Sequence, residues 1–182
     1  MDSRLHGNDT KERDRDDLKR YNQIMIILLD NIRSIFNVGA IFRTCDAVGA
    51  EKLILSGYTP YPPEPKLLKT SLGAIDSVAW ENLSNEETLN FLQKRKSEGW
   101  KIIAVEQSEK SICYTDSLSE NLMGWDKYIY VFGNEIVGVR KDILDIADTI
   151  IDIPMHGKKN SLNVSVTVGI IAYEASKFRQ SK

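Results

Sequence analysis

Residues 127–138 read KYIYVFGNEIVG, in which an apolar run of strand length at 127–132 ends directly at a glycine. Runs this short, apolar and rich in β-branched or aromatic residues are typical of strands buried in a parallel sheet. Similar runs occur at residues 23–30, 52–56 and 101–106, and segments with helical spacing separate them. We therefore predict an α/β fold, with a mainly parallel sheet flanked by helices.

The remaining elements follow from turn and capping signals. Asn37 is a possible N-cap, Gly49 is a stop signal, and Ser84 with Glu87 forms a capping box. Helices are predicted at residues 37–48, 84–98, 139–147 and 161–178, further strands at 78–80 and 149–153, and loops at 58–65 and 107–125.

The length and composition indicate one domain. The chain has 182 residues, of which 42% are hydrophobic and 27% charged, so it can bury a core without disulfides or metal. Residues 1–20 hold six acids, six bases and almost no apolar residues, which predicts a mobile charged tail ahead of a domain at 21–182.

Several classes of protein are disfavoured. The longest apolar runs are far below the ~20 residues of a membrane span, and the N-terminus lacks the apolar region of a signal peptide. Two cysteines make neither a disulfide framework nor a zinc site, so a cytoplasmic protein without metal is expected. A net charge of −2 argues against a nonspecific DNA coat but allows a local basic site.

Ligands of parallel sheets bind beyond the carboxyl ends of the strands, which directs attention to segments 30–37, 133–138 and 154–163. In the first, Asn37 either caps a helix or faces a ligand, and Arg43 follows six residues later. A guanidinium there suits phosphate or an anionic transition state, although a surface ion pair is the alternative.

The other two segments lack the usual nucleotide-binding motifs. Gly133 permits either a close ligand or a tight turn, and Glu135 could merely favour a helix N-terminus, but the three-glycine dinucleotide fingerprint is missing. Lys158 follows a glycine without completing a P-loop. Ser161 is a possible helix cap, and Asn163 would then lie in the first helical turn, where a polar residue suggests a ligand.

Together these segments resemble the three signature motifs of the SpoU (TrmH-type) branch of the SPOUT methyltransferases, which methylate the ribose 2′-hydroxyl of RNA. Asn37 and Arg43 with residues 46–49 are similar to motif one, 133–138 to motif two, and 153–157 with 161–165 to motif three. The order of the three motifs and the separations between them also fit the family, and residues 69–74 resemble a further stretch of its sequence pattern. The resemblance covers about residues 23–182.

The resemblance implies a C-terminal trefoil knot, a homodimer and S-adenosylmethionine bound within the knot. General topology rules make knots improbable, so the knot rests on the resemblance alone. The implied cofactor contacts, made largely by backbone, are Gly133, Ile153, Met155 and Leu162, together with Val105 or Glu106 at the end of an earlier strand.

To transfer a methyl group to a hydroxyl, an enzyme must mainly hold the oxygen, the methyl group and the sulfur in line. It must also stabilise the charge that develops as the hydroxyl loses its proton. Arg43 would activate the hydroxyl, acting first as an electrostatic and phosphate-orienting group, because a guanidinium is a very poor base. The residues that would orient Arg43 and the ribose are Asn37, Glu135, Ser161 and Asn163. Candidate contacts to the RNA backbone are Arg33, Lys66, Lys69, Lys158 and Lys159.

Alternatives stay open at this point. A non-catalytic RNA-binding module on the same fold would not need the set of Asn37, Arg43, Glu135 and Asn163. A dinucleotide-dependent redox enzyme is disfavoured by the missing fingerprint. A stripe formed by Val164, Val168 and Ile171 could serve a dimer interface or pack on the sheet. Both tRNA and rRNA remain possible substrates.

Overall fold

A computed structural model describes residues 23–116 and 126–177. The predicted tail at 1–20, residues 117–125 of the predicted loop and Phe178 of the last predicted helix lie outside the described residues. The strands are β1 (Ile24–Asp30), β2 (Lys52–Ser56), β3 (Trp80–Leu83), β4 (Lys101–Val105), β5 (Ile112–Cys113), β6 (Lys127–Phe132) and β7 (Thr149–Asp152). The helices are α1 (Ile35–Val48), α2 (Pro65–Ser71), α3 (Ala74–Ser77), α4 (Asn85–Ser97), α5 (Tyr114–Asp116), α6 (Lys141–Ile146) and α7 (Val164–Ser176).

The strands form one seven-stranded sheet in the order β3-β2-β1-β6-β4-β7-β5, and every ladder between them is parallel. The prediction of a mainly parallel α/β sheet is therefore confirmed. Because β1 and β6 are paired from Ile24 opposite Lys127 to Leu29 opposite Phe132, the segments that follow them leave the sheet at the same edge.

Alternate residues of each strand supply two separate cores. On one face, Ile27 and Tyr130 pack with α1, α2, α3 and α7; on the other, Ile26 and Ile129 pack with α4 and α6. The stripe of Val164, Val168 and Ile171 lies in the first core, so of its two alternatives the structure shows packing on the sheet.

Three predicted helix starts are wrong: α6 begins at Lys141 and not at residue 139, and the other two errors concern candidate site residues. Ser34, not Asn37, caps α1, because the Ser34 side chain accepts a hydrogen bond from the Asn37 N–H. Asn163, not Ser161, caps α7 by accepting from the Ser165 N–H. The helix stop at Gly49 is confirmed by its left-handed backbone, with φ of 63°.

The predicted capping box is confirmed. Ser84 accepts from the Glu87 N–H and Glu87 accepts from the Ser84 N–H. The hydrogen bond that the Ser84 backbone donates to the Glu87 carboxylate holds the pKa of Glu87 below its ordinary value. The predicted strand at 78–80 is shifted, since β3 begins at Trp80.

Helices α2 and α3 were not predicted, because the prolines of the preceding loop obscured them. Pro65 occupies the first turn of α2, where its missing N–H costs nothing. No helix in the described ranges is long and apolar enough to cross a membrane.

Candidate active site

Three side chains from the three predicted segments meet at the carboxyl edge of the sheet. Asn37 Nδ2 donates to Glu135 Oε1 at 3.1 Å, and Asn163 Nδ2 donates to Asn37 Oδ1 at 3.1 Å. These bonds join residues 98 and 126 positions apart in the chain. We call Asn37, Glu135 and Asn163 the polar triad.

Capping geometry orients the polar triad. Asn163 Oδ1 accepts from the Ser165 N–H and Oγ–H at 2.8 and 2.7 Å, which turns Asn163 Nδ2 towards Asn37. Since Ser34 caps α1, the Asn37 amide is available to bridge its two partners. Both ends of the Asn37 amide are thus occupied, whereas Glu135 Oε2 has no hydrogen bond to another described residue and can accept from a ligand.

Asn134 determines the shape of the turn that carries Glu135. Its buried side chain donates to the Asn31 carbonyl at 2.8 Å and to Tyr58 Oη at 2.7 Å, and accepts from the N–H groups of Ile136 and Val137. All four hydrogen-bonding positions of the amide are therefore filled, as a buried amide requires.

The two glycines of this turn are needed for close backbone packing. A Cβ on Gly133 would meet the backbone of Gly138 and Val139, and a Cβ on Gly138, whose φ is +73°, would meet the Glu106 carboxylate. Of the two alternatives for Gly133, these contacts support the tight turn. Glu106 Oε2 also accepts from the Val139 N–H at 2.9 Å, and this hydrogen bond fixes the end of the turn to the end of β4.

A buried ion pair anchors the chain just beyond the turn. Asp30, whose side chain is fully buried, accepts from Arg140 Nε at 2.9 Å, from the Arg140 N–H at 3.0 Å and from Asn31 Nδ2 at 3.0 Å. Because three donors surround it, the Asp30 carboxylate is well satisfied despite its burial. Arg140 also donates to the Asn85 carbonyl, which ties α4 to the same site.

A groove beside the polar triad contains all five predicted cofactor residues. A cavity of about 500 Å³ is lined by Val105, Gly133 and Leu162 together with Asn163, and an adjoining one of about 140 Å³ by Val105, Ile153, Met155 and Leu162. The two cavities share Val105 and Leu162, and Ser161 lines both, so they form one continuous groove. Its size and partly apolar walls are typical of small-molecule sites.

Arg43 is not brought into the polar triad. It lies on α1, about 120° around the helix from Asn37, exposed and with no hydrogen bond or ion pair to another residue in the ranges 23–116 and 126–177. The predicted RNA-contacting residues are all exposed; they are Arg33, Lys66, Lys69, Lys158 and Lys159.

The sequence interpretation missed Asp30, Asn134 and Arg140 as residues that shape the site, and it named Glu106 only as an alternative cofactor contact to Val105, not as a support of the turn. Asp30 gave a usable signal, since a carboxylate at the end of a fully apolar strand requires a partner. Arg140 gave none, because a basic residue before a helix is ordinary. No cluster of three or more potential metal ligands occurs among the described residues.

Comparison with known proteins gives consistent matches. The model of the SpoU rRNA Methylase family matches residues 24–173. The chain is 35% identical to a tRNA (guanosine(18)-2′-O)-methyltransferase of Aquifex aeolicus, over 92% of this chain and 76% of the relative. It is 31% identical to the 23S rRNA (guanosine-2′-O-)-methyltransferase RlmB of Pseudomonas putida, over 87% and 60%.

A solved structure of another RNA methyltransferase is also similar to this chain. The AdoMet-bound rRNA methyltransferase of Sinorhizobium meliloti superposes with a TM-score of 0.78 at 25% identity, covering 88% of this chain and 59% of that one. The chain thus spans about three quarters of one of these relatives and about three fifths of the other two. Since the family match extends over most of the chain and includes all three segments of the site, the chain belongs to the SpoU rRNA methylase family.

Proposed function

We propose that this chain transfers a methyl group from S-adenosylmethionine to the ribose 2′-hydroxyl of a nucleotide in tRNA or rRNA. Family membership, relatives that act on tRNA and 23S rRNA, and a relative with AdoMet bound support the reaction class and the methyl donor. The strongest support from the structure is the polar triad, which places two amides and a carboxylate at the border of the groove.

The groove fits the methyl donor. Val105, Ile153 and Leu162 offer apolar surface beside the polar groups of Gln107 and Asn160, a combination that suits a purine ring and an amino acid tail in one ligand. When bound there, the donor supplies the methyl group on a sulfonium. Gly133, Ile153, Met155 and Leu162 would hold it through backbone groups.

Within the chain, the triad would orient the ribose. Glu135 Oε2 has an open acceptor position for a hydroxyl, and Asn37 and Asn163 fix the direction in which that oxygen points. Ser161, on the wall of the groove, would add a hydroxyl contact. Holding the hydroxyl in line with the methyl group accounts for much of the acceleration expected of such an enzyme.

Arg43 would complete the site from a second copy of the chain. Arg43 shares an exposed face of α1 with Phe36, a residue that is 67% exposed. The neighbouring helix α7 presents Val166 and Tyr173, which are 50% and 56% exposed. Large apolar side chains grouped on one surface indicate an interface, and a homodimer would cover them. Sedimentation velocity of the wild-type protein and of Phe36→Asp tests this: a wild-type monomer contradicts the dimer.

The strand order supports the predicted knot. Strand β5 comes from the connection between β4 and β6 but lies outside β7 on the sheet edge. The chain after β7 then returns to α7, which packs on α1 near the centre of the sheet. A return path that passes inside the β4–β6 connection would produce a trefoil knot.

Variants of Arg43 test the proposed function. We expect Arg43→Ala to fold and to bind S-adenosylmethionine normally, because its side chain is exposed, but to lose most turnover with RNA. Arg43→Lys should rescue it poorly, since a point charge lacks the planar fork. A wild-type protein that binds RNA but never methylates it would instead support the non-catalytic RNA-binding module.

A further inference from the structure

A second cavity lies at the carboxyl end of β2, outside the cofactor groove. It measures about 480 Å³, and its lining consists of Gly57, Tyr58, Thr59, Pro60, Tyr61, Pro63, Glu64 and Pro65. Two tyrosines and three prolines make its walls largely apolar. Tyr58 and Tyr61 are 58% and 48% exposed, so both rings present surface to a ligand.

This aromatic cavity is rigidly connected to the proposed active site. Tyr58 Oη accepts from Asn134 Nδ2 at 2.7 Å, and Asn134 directly precedes Glu135 of the polar triad. The Tyr58 N–H donates to Asn31 Oδ1 at 3.3 Å, so the tyrosine is held at its backbone as well as at its hydroxyl. An exposed ring that is fixed at both ends loses little conformational entropy when a partner stacks on it.

The charges around the cavity favour a nucleic acid. Lys66 and Lys69 lie on α2, which begins at the cavity, and both are exposed. Glu64 is the one acid in the lining, and its carboxylate accepts from the Lys66 N–H as the cap of α2. Aromatic walls with lysines beside them are the combination that stacks a base and neutralises its phosphates.

We propose that Tyr58 and Tyr61 form a stacking site for the base of the RNA nucleotide whose ribose is methylated. This inference rests on the proposed function and adds to it a base-binding subsite outside the three motifs. The Tyr58–Asn134 hydrogen bond would couple the position of that base to the turn that carries Glu135, and thereby to the ribose.

Variants that separate the ring from the hydroxyl test the inference. Tyr58→Phe keeps the ring and loses the bond to Asn134, whereas Tyr58→Leu loses both. We expect Tyr58→Leu and Tyr61→Leu each to weaken binding to deproteinised total tRNA and rRNA by about tenfold, because base stacking on an aromatic ring contributes on this scale. The phenylalanine variants should stay within about threefold of wild type.

Three readouts distinguish the outcomes. Affinity for S-adenosylmethionine should be unchanged in all four variants, and ultraviolet crosslinking of wild type to the RNA should place nucleotide adducts on the peptide that contains Tyr58 and Tyr61. If Tyr58→Phe and Tyr58→Leu lose RNA affinity equally, Tyr58 only supports Asn134 and the inference is wrong. The inference is also wrong if both leucine variants bind RNA as tightly as wild type. A wild-type protein that binds no RNA would refute the proposed function itself.

Discussion

Replacing Asn37 by aspartate is the sharpest perturbation of the polar triad, because it changes one NH₂ group to an oxygen. The Asn37→Asp variant loses the hydrogen bond to Glu135 Oε1 and brings two carboxylates to the 3.1 Å that now separates donor and acceptor. The lost bond is worth about 1 kcal/mol, and the like-charge repulsion about 1 kcal/mol more at this exposed position. We therefore expect kcat/KM for RNA methylation to fall roughly 30-fold.

Stability should change far less than activity. Asn37 lies in the first turn of α1, where a negative charge interacts favourably with the helix dipole, and its backbone N–H keeps the Ser34 cap. We expect the free energy of unfolding to stay within about 1 kcal/mol of wild type. Thermal unfolding, measured beside single-turnover methyl transfer from labelled S-adenosylmethionine, separates the two effects.

A second substitution provides the matched control. When Asn37→Asp is combined with Glu135→Gln, the glutamine amide can donate to the new carboxylate, so residues 37 and 135 exchange the roles of donor and acceptor. Asn163 Nδ2 still donates to residue 37. Partial recovery of activity would show that the network orients the site. Wild-type activity in Asn37→Asp at neutral pH would refute the role of the triad.

Three further predictions concern the framework. Asp30→Ala should cost about 3 kcal/mol and lower Tm by about 6–12 °C in calorimetry, because the Arg140 N–H and the Asn31 amide lose their buried acceptor and the Arg140 guanidinium keeps only its more exposed ion-pair partner Asp142. Lys141→Ala in the exposed pair with Asp145 should change stability by less than about 0.5 kcal/mol, and equal effects of the two substitutions would contradict the buried anchor. Gly133→Ala should disrupt the turn and so speed backbone amide exchange at residues 133–139. The control Gly157→Ala, with no atoms near the added Cβ, should leave amide exchange at these residues unchanged. Burial raises the pKa of the Cys45 thiol to about 12, so at pH 8 iodoacetamide should alkylate the half-exposed Cys113 and spare Cys45 until the chain unfolds. The free energy of unfolding should decline as the pH rises from about 9 towards 12, because only the unfolded Cys45 thiol ionises in that range. Rapid labelling of Cys45 in the native protein would contradict its burial in a closed core.

Local patterns predicted the sheet well because buried parallel strands leave a clear apolar signal. β2 and β6 begin and end at the predicted residues, and the capping box at Ser84 begins α4. The two-residue β5 left no such signal, because so short an edge strand is defined by pairing with β7 and not by its own composition.

The site was predicted in its parts but not in its connections. Asn37 and Asn163 were both recognised as candidates, yet their capping roles were misassigned because Ser34 and Ser161 offer equally good capping side chains. Asn134 was overlooked as a separate residue, since its importance comes from contacts with Asn31 and Tyr58 that are distant in sequence. Such long-range pairing has no periodicity from which it could be inferred.

The most direct measurement is the chemical position of the transferred methyl group. Total RNA from cells that lack this gene would be incubated with the protein and isotopically labelled S-adenosylmethionine, digested to nucleosides and analysed by mass spectrometry. We predict label on the ribose 2′-oxygen of one nucleoside of tRNA or rRNA, with most of that label lost in the Arg43→Ala reaction. Label on a base, or no label in any RNA, would contradict the proposed function.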